Sequence, residues 1–142
     1  MGEPLSSGRH CRSIILKIQN LMDSLSTLGP WPDRKRRVMG ISYTDGKSEE
    51  TRVIEAISDS SELGSEFCFP EVSQSWSLRY HLSPERSNLV RHLNLSGLEV
   101  LELGAGMGAV SRYFAEHASS LSVVEGTESR FQALESRLRD LS

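Results

Sequence analysis

Residues 100–108, VLELGAGMG, set one carboxylate, Glu102, two places ahead of Gly104, and Gly106 and Gly108 follow at alternate positions. Glycines at that spacing after an apolar run suit a strand that turns sharply into a helix beneath a ligand. Gly104 supplies the positive φ of a tight turn, Gly106 lets the backbone approach a bound molecule, and Gly108 lets the new helix lie against the sheet. A second apolar stretch, LSVVEG, ends in Glu125 about twenty residues after the first glycine. An acid at the tip of the next strand is placed to accept hydrogen bonds from both hydroxyls of a ribose. These residue types at this spacing suit recognition of a nucleoside-bearing ligand.

Two ligand classes satisfy that description. GAGMGA, with Ala109 in last place, also meets the looser dinucleotide pattern. Glu102 separates them by charge. In an alternating strand it shares a face with Val100 and Gly104 and so reaches the carboxyl end of the strand beside the ligand. A pyrophosphate would meet a like charge there, whereas the methionine end of S-adenosylmethionine carries an ammonium and a sulfonium that a carboxylate attracts. The sign of the charge favours the methyl donor, with an NAD(P)-binding oxidoreductase piece as the alternative.

VLELGAGMG followed by VVEGTESR resembles motif I and the acidic post-motif strand of class I S-adenosylmethionine-dependent methyltransferases, over residues 78–142. The segment YHLSPERSNLVRHLNLSG ahead of the strand is similar to methyltransferase modules found beside or fused to bacterial glycosyltransferases. The resemblance implies that Glu102, Gly104, Ala105, Gly106 and Gly108 contact the methionine and adenosine parts of the cofactor and that Glu125 contacts the ribose. It also implies methyl transfer to a small-molecule or glycan acceptor.

The fold class this predicts is α/β, a Rossmann-like doubly wound parallel sheet, with a small α+β region at 1–77 and the cofactor-binding portion at 78–142. After Glu102 the chain supplies one helix, one strand and one more helix, so the sheet is expected to be cut short after its second βα unit. Both strands would then carry unpaired apolar edges. A missing carboxyl-terminal half or a fused glycosyltransferase is the partner this expectation implies.

The elements that must hold the site follow from periodicity. Ile14, Ile18, Leu21, Leu25 and Leu28 predict an amphipathic helix over 12–28, stopped by Gly29-Pro30. Val38–Thr44 reads as a short strand, Asp45-Gly46 as a turn, and Ser48 as the cap of a helix with Val53, Ile54 and Ile57 on one face. Residues 58–77 read as a loop anchored by burial of Phe67, Phe69 and Trp76. Ser83-Pro84-Glu85 starts a helix with Leu89, Val90 and Leu93 inward, and residues 94–97 turn the chain into the strand at Leu98. Val110, Tyr113, Phe114 and His117 mark the helix after the glycines. Ser129 and Gln132 suggest a capping box for a last helix with Phe131, Leu134, Leu138 and Leu141 on its buried face. Strand, helix, strand, helix implies a right-handed parallel unit.

Composition narrows the function classes. With 142 residues and net charge −3, the chain has no basic field for nucleic acid, and the run Arg34–Arg37 lacks interleaved aromatics and reads as a solvated linker. No apolar run reaches the ~20 residues of a membrane span, and the amino terminus does not read as a secretory signal, so a cytoplasmic location is expected. Cys11 and Cys68 read as ordinary thiols, with no metal site. Gly46-Lys47-Ser48 fails as a phosphate loop because Ile41 stands where the first glycine is needed. A hydroxyl acceptor would need a general base. His81, His92 and His117 are the candidates, no catalytic residue is assigned, and Tyr80, His81 and Arg86 border the expected donor site. A non-catalytic remnant or interaction module using 12–28 is the third reading.

Overall fold

Leu121, Val123 and Glu125 are buried while Ser120, Ser122 and Val124 between them are half-buried, the alternation of a strand with one face on a core. The computed structural model describes residues 14–18 and 44–141. In chain order these form β1 (Ile14–Ile18), α1 (Lys47–Asp59), α2 (Trp76–Leu82), β2 (Glu99–Leu103), α3 (Ser111–His117), β3 (Ser120–Glu125) and α4 (Glu128–Leu138), with 3₁₀ turns at Pro70–Ser73 and Pro84–Leu89. The architecture is mixed α/β with a parallel sheet. β3 is central, pairing with β1 on one side, Ile14 opposite Leu121, and with β2 on the other, Val100 opposite Leu121.

Two apolar clusters fasten helices around the sheet. Leu121 and Val123 of β3 pack with Ala115 of α3 and with Phe131, Leu134 and Leu138 of α4. Val53 and Ile57 of α1, Phe69, and Leu78 and Leu82 of α2 pack with Met107 in the glycine turn and Ala133 of α4. Full burial of each large apolar side chain stabilises the fold by about 1.5–3 kcal/mol, so the second cluster holds α1 and α2 firmly beside the turn. The point between residues 77 and 78 lies inside α2, and this cluster draws on both sides of it.

Several expectations need correction. Residues 14–18, expected within a helix over 12–28, are a strand; residues 19–28 lie outside the described residues. The stretch IILKI, rich in β-branched isoleucine, also suits a parallel strand, and pairing with β3 overrides a helical period that the same residues satisfy. Because β1 and β2 cover the two sides of β3, the open edges among the described residues are the outer edges of β1 and β2. One face of β2 carries Leu101 and Leu103, both exposed. The strand expected at 38–44 and the basic run at 34–37 fall outside the described residues except for Thr44.

The cap of α1 is Gly46 rather than Ser48, with Thr44 Oγ1 accepting from the Gly46 N–H at 3.0 Å. Within the expected loop 58–77, α1 runs to Asp59 and α2 begins at Trp76, capped by Ser75 Oγ accepting from Leu78 N–H at 3.2 Å. Phe69 is buried as expected, but Trp76 is 66 % exposed. Ser83 and Pro84 do open a helical segment, but it is 3₁₀, and Leu89 and Leu93 point to solvent. The strand begins at Glu99. The last helix is capped at Thr127 without a side-chain bond, and Gln132 instead donates to Glu128 Oε1 one turn earlier at 3.0 Å.

Candidate functional site

The glycine turn forms because the chain leaves β2 through three left-handed residues: Gly104 at φ 76°, Gly106 at 59° and Gly108 at 80°. Side chains larger than glycine pay about 1–2 kcal/mol in that region. Gly104 keeps the sheet ladder by donating to Val124 O at 2.8 Å, so the turn is anchored to β3 at the point where the strand ends. Open space surrounds the Cα of Gly104 and of Gly106. At Gly108 a Cβ would stand 2.8 Å from Leu134 Cδ1, so this glycine serves the packing of the turn on α4.

Glu125 locks the same turn from the side. Its Oε2 accepts from Gly106 N–H at 2.7 Å and its Oε1 from Thr127 N–H at 2.8 Å. Each carboxylate oxygen has a second acceptor site left for a ligand hydroxyl. Glu102, on the face of β2 turned toward the helices, is in a different state. Its Oε2 is buried without a hydrogen-bond partner, as is Ser111 Oγ nearby. Burial pushes the Glu102 carboxyl above its ordinary value, and the Ser111 hydroxyl, near the carboxyl but short of hydrogen-bond geometry, offsets part of that push.

A cavity of about 580 Å³ opens over the turn, lined by Glu102, Gly104, Ala105, Gly106 and Glu125 together with Tyr80, His81 and Arg86. The residues expected to hold a cofactor therefore meet in one place, Gly108 excepted, and the three expected border residues meet them there. A separate depression of about 450 Å³ beside α1, lined by Arg52, Glu55, Phe67 and Phe69, shares none of these residues. His92 and His117 are exposed; His117 Nδ1 is bonded to Tyr113 O at 2.9 Å.

One wall of the cavity is an ionic cluster that sequence reasoning missed. His81 Nε2 lies 2.8 Å from Asp45 Oδ2, Arg130 Nη2 lies 3.2 Å from the same oxygen, and Arg130 also donates to Glu50 Oε1 at 2.9 Å. The contacts join residues 36, 85 and 80 positions apart, so no local period announces them. Burial pulls His81 below the ordinary imidazole value, against the Asp45 carboxylate that raises it. The neutral ring then donates from Nε2 to Asp45, and Nδ1 is its basic nitrogen. Arg137, wholly buried and drawn down to about 10 by that burial, donates to His81 O at 2.8 Å and ties α4 to α2.

Glu102 lines the cavity, and a buried carboxyl there with an oxygen lacking a hydrogen bond suits a cationic ligand group, since a charge-assisted donor would satisfy it. The donors and acceptors present therefore fit an aminoacyl nucleoside: Glu102 for an ammonium, Glu125 for ribose hydroxyls, and the open backbone at Gly104–Gly106 for close approach. Among the described residues no cluster of three or more His, Cys, Asp or Glu side chains is arranged to hold a metal ion, and no helix is long and apolar enough to cross a membrane. Comparison with protein-family models, with curated proteins and with solved structures yields no match.

Proposed function

We propose that this chain forms the cofactor-binding portion of a Rossmann-like S-adenosylmethionine-dependent methyltransferase. The observation that carries the reading is the buried Oε2 of Glu102, without a hydrogen bond, in a residue that lines the same cavity as the glycine turn and Glu125. A carboxylate there, costly to keep charged when nothing binds, gains its counter-charge from a ligand ammonium. S-adenosylmethionine would supply a methyl group on a sulfonium, and its transfer disperses positive charge and depends on alignment of donor and acceptor.

The chain's own residues supply that alignment. Glu102 would draw the amino-acid end down to the sheet, and Glu125 would fix the ribose while it holds Gly106 in place. The Glu125 bonds are made within the chain itself, and a turn held in this way leaves little ordering cost on binding. His81, neutral and oriented by Asp45, is the cavity residue suited to accept a proton from a hydroxyl acceptor at Nδ1. Calorimetric titration of the full chain with S-adenosylmethionine and with NAD tests the reading. Saturable binding of the first and none of the second is expected, and the reverse order would overturn it in favour of a nicotinamide-dependent enzyme.

A further inference from the structure

Trp76, Arg79 and Tyr80 occupy one side of α2, three and four residues apart, while Ser77, Leu78, His81 and Leu82 are buried on the other. A helix this short needs no aromatic on its solvent side for stability. Yet Trp76, two-thirds exposed, stacks on Tyr80 with ring centroids 5.0 Å apart and planes 21° apart, and the Arg86 guanidinium lies 4.1 Å from the Tyr80 centroid. Arg86 and Trp76 thus hold the Tyr80 ring in a fixed stack that leaves indole surface open. Glu85 stands beside it, 3.7 Å from Arg79, with both side chains largely in water. These residues and Leu89 enclose a depression of about 320 Å³, and Tyr80, Arg86 and Leu89 also line the cavity over the glycine turn.

We propose that this depression is the acceptor subsite and that it takes a pyranose sugar. The inference rests on the methyl-donor reading for its role, though the surface itself does not depend on it. An exposed indole face attracts the weakly positive C–H groups on one side of a sugar ring, by the same quadrupole that favours edge-to-face aromatic pairs. The rim then has to meet hydroxyls that both donate and accept. Guanidinium groups only donate and a carboxylate only accepts, and Arg79, Arg86 and Glu85 supply both kinds around one aromatic face. Glu85 also opposes a phosphate or carboxylate ligand that the arginines alone would attract. A ring seated on Trp76 has a continuous path past Tyr80 and Arg86 toward the donor cavity.

The test is saturation-transfer NMR on the full chain with methyl glycosides of glucose, galactose, mannose, rhamnose and N-acetylglucosamine, and with adenosine monophosphate as the stacking control. At least one glycoside should receive saturation on its ring C–H protons. Trp76→Ala should weaken that binding about ten-fold, as loss of one stacking partner does, with the binding of S-adenosylhomocysteine unchanged. Silence from every glycoside, stronger binding of the nucleotide at Trp76, or unchanged sugar binding in Trp76→Ala would each overturn the subsite. Sugar binding without any S-adenosylhomocysteine binding would sink the methyl-donor reading and leave the sugar surface standing. Because Trp76 is exposed, its replacement leaves the fold intact, and circular dichroism checks this.

Discussion

The Glu125 carboxylate accepts the backbone N–H of Gly106 at 2.7 Å, across 19 residues of chain, and so ties the tip of β3 to the middle of the glycine turn. Its other oxygen takes the Thr127 N–H, which makes Glu125 both the closing staple of the turn and the ribose acceptor of the proposed site. Glu125→Ala should lower stability by about 3 kcal/mol, because it removes two charge-assisted bonds and leaves two amides unpaired. Hydrogen exchange checks it: the Gly106 and Thr127 amides should lose protection in the variant, and unchanged protection would show that the turn holds without the carboxylate.

Glu102 predicts the opposite sign. Burial raises its pKa in the fold, so the folded chain holds this proton more tightly than the unfolded chain does. Its contribution to stability is full below the unfolded carboxyl value and is lost as pH rises through the folded one. Glu102→Gln removes that loss. The variant should resist urea better than the parent at pH 7, and the two should converge as pH falls to the ordinary carboxyl range. A variant less stable at pH 7 would mean that Glu102 has a structural partner.

Glycine substitutions should separate the turn's two duties. Gly104→Ala carries the left-handed strain alone, about 1–2 kcal/mol. Gly108→Ala adds a Cβ 2.8 Å from Leu134 Cδ1 in a packed core, and should cost about 3–4 kcal/mol in all. Equal denaturation midpoints for the two would contradict the packing role of Gly108.

The cluster on the cavity wall should be intolerant of losing its cation. Arg130→Met leaves Glu50 buried and Asp45 half-buried with the Arg130 contacts gone, and should cost about 3 kcal/mol. His81 adds a pH signature. Its folded pKa is depressed, so the stability it contributes is present above the unfolded imidazole value and lost as pH falls through the folded one. Urea melts of the parent should weaken on acidification below about pH 6.5, and His81→Gln should flatten that part of the profile.

The glycine turn, both acids and the βαβ order around them were legible because each rests on short-range pattern: alternate glycines, a period of two in LSVVE, a period near 3.6 in the helices. Long-range pairings were not. Ile14–Ile18 satisfies a helical stripe and a strand equally, and only the partner β3 decides between them. Ser48, Ser129 and Gln132 each match a cap pattern, but the helices begin elsewhere, since several residues near any helix start can serve. Trp76 was expected inside on hydrophobicity alone, whereas the register of α2 is set by Leu78 and Leu82, and these turn Trp76 outward. The Asp45–His81–Arg130–Glu50 cluster joins three separate elements and leaves no trace in any window of sequence.

Binding of the cationic end of a methyl donor by Glu102, as proposed, is decided by titration calorimetry of S-adenosylmethionine into the full chain at pH 7.5, parent against Glu102→Gln. Saturable binding by the parent and about ten-fold or more weaker binding by the variant are expected, the scale of one lost charge-assisted contact. Equal affinity for the two chains, with the variant folded, would contradict it.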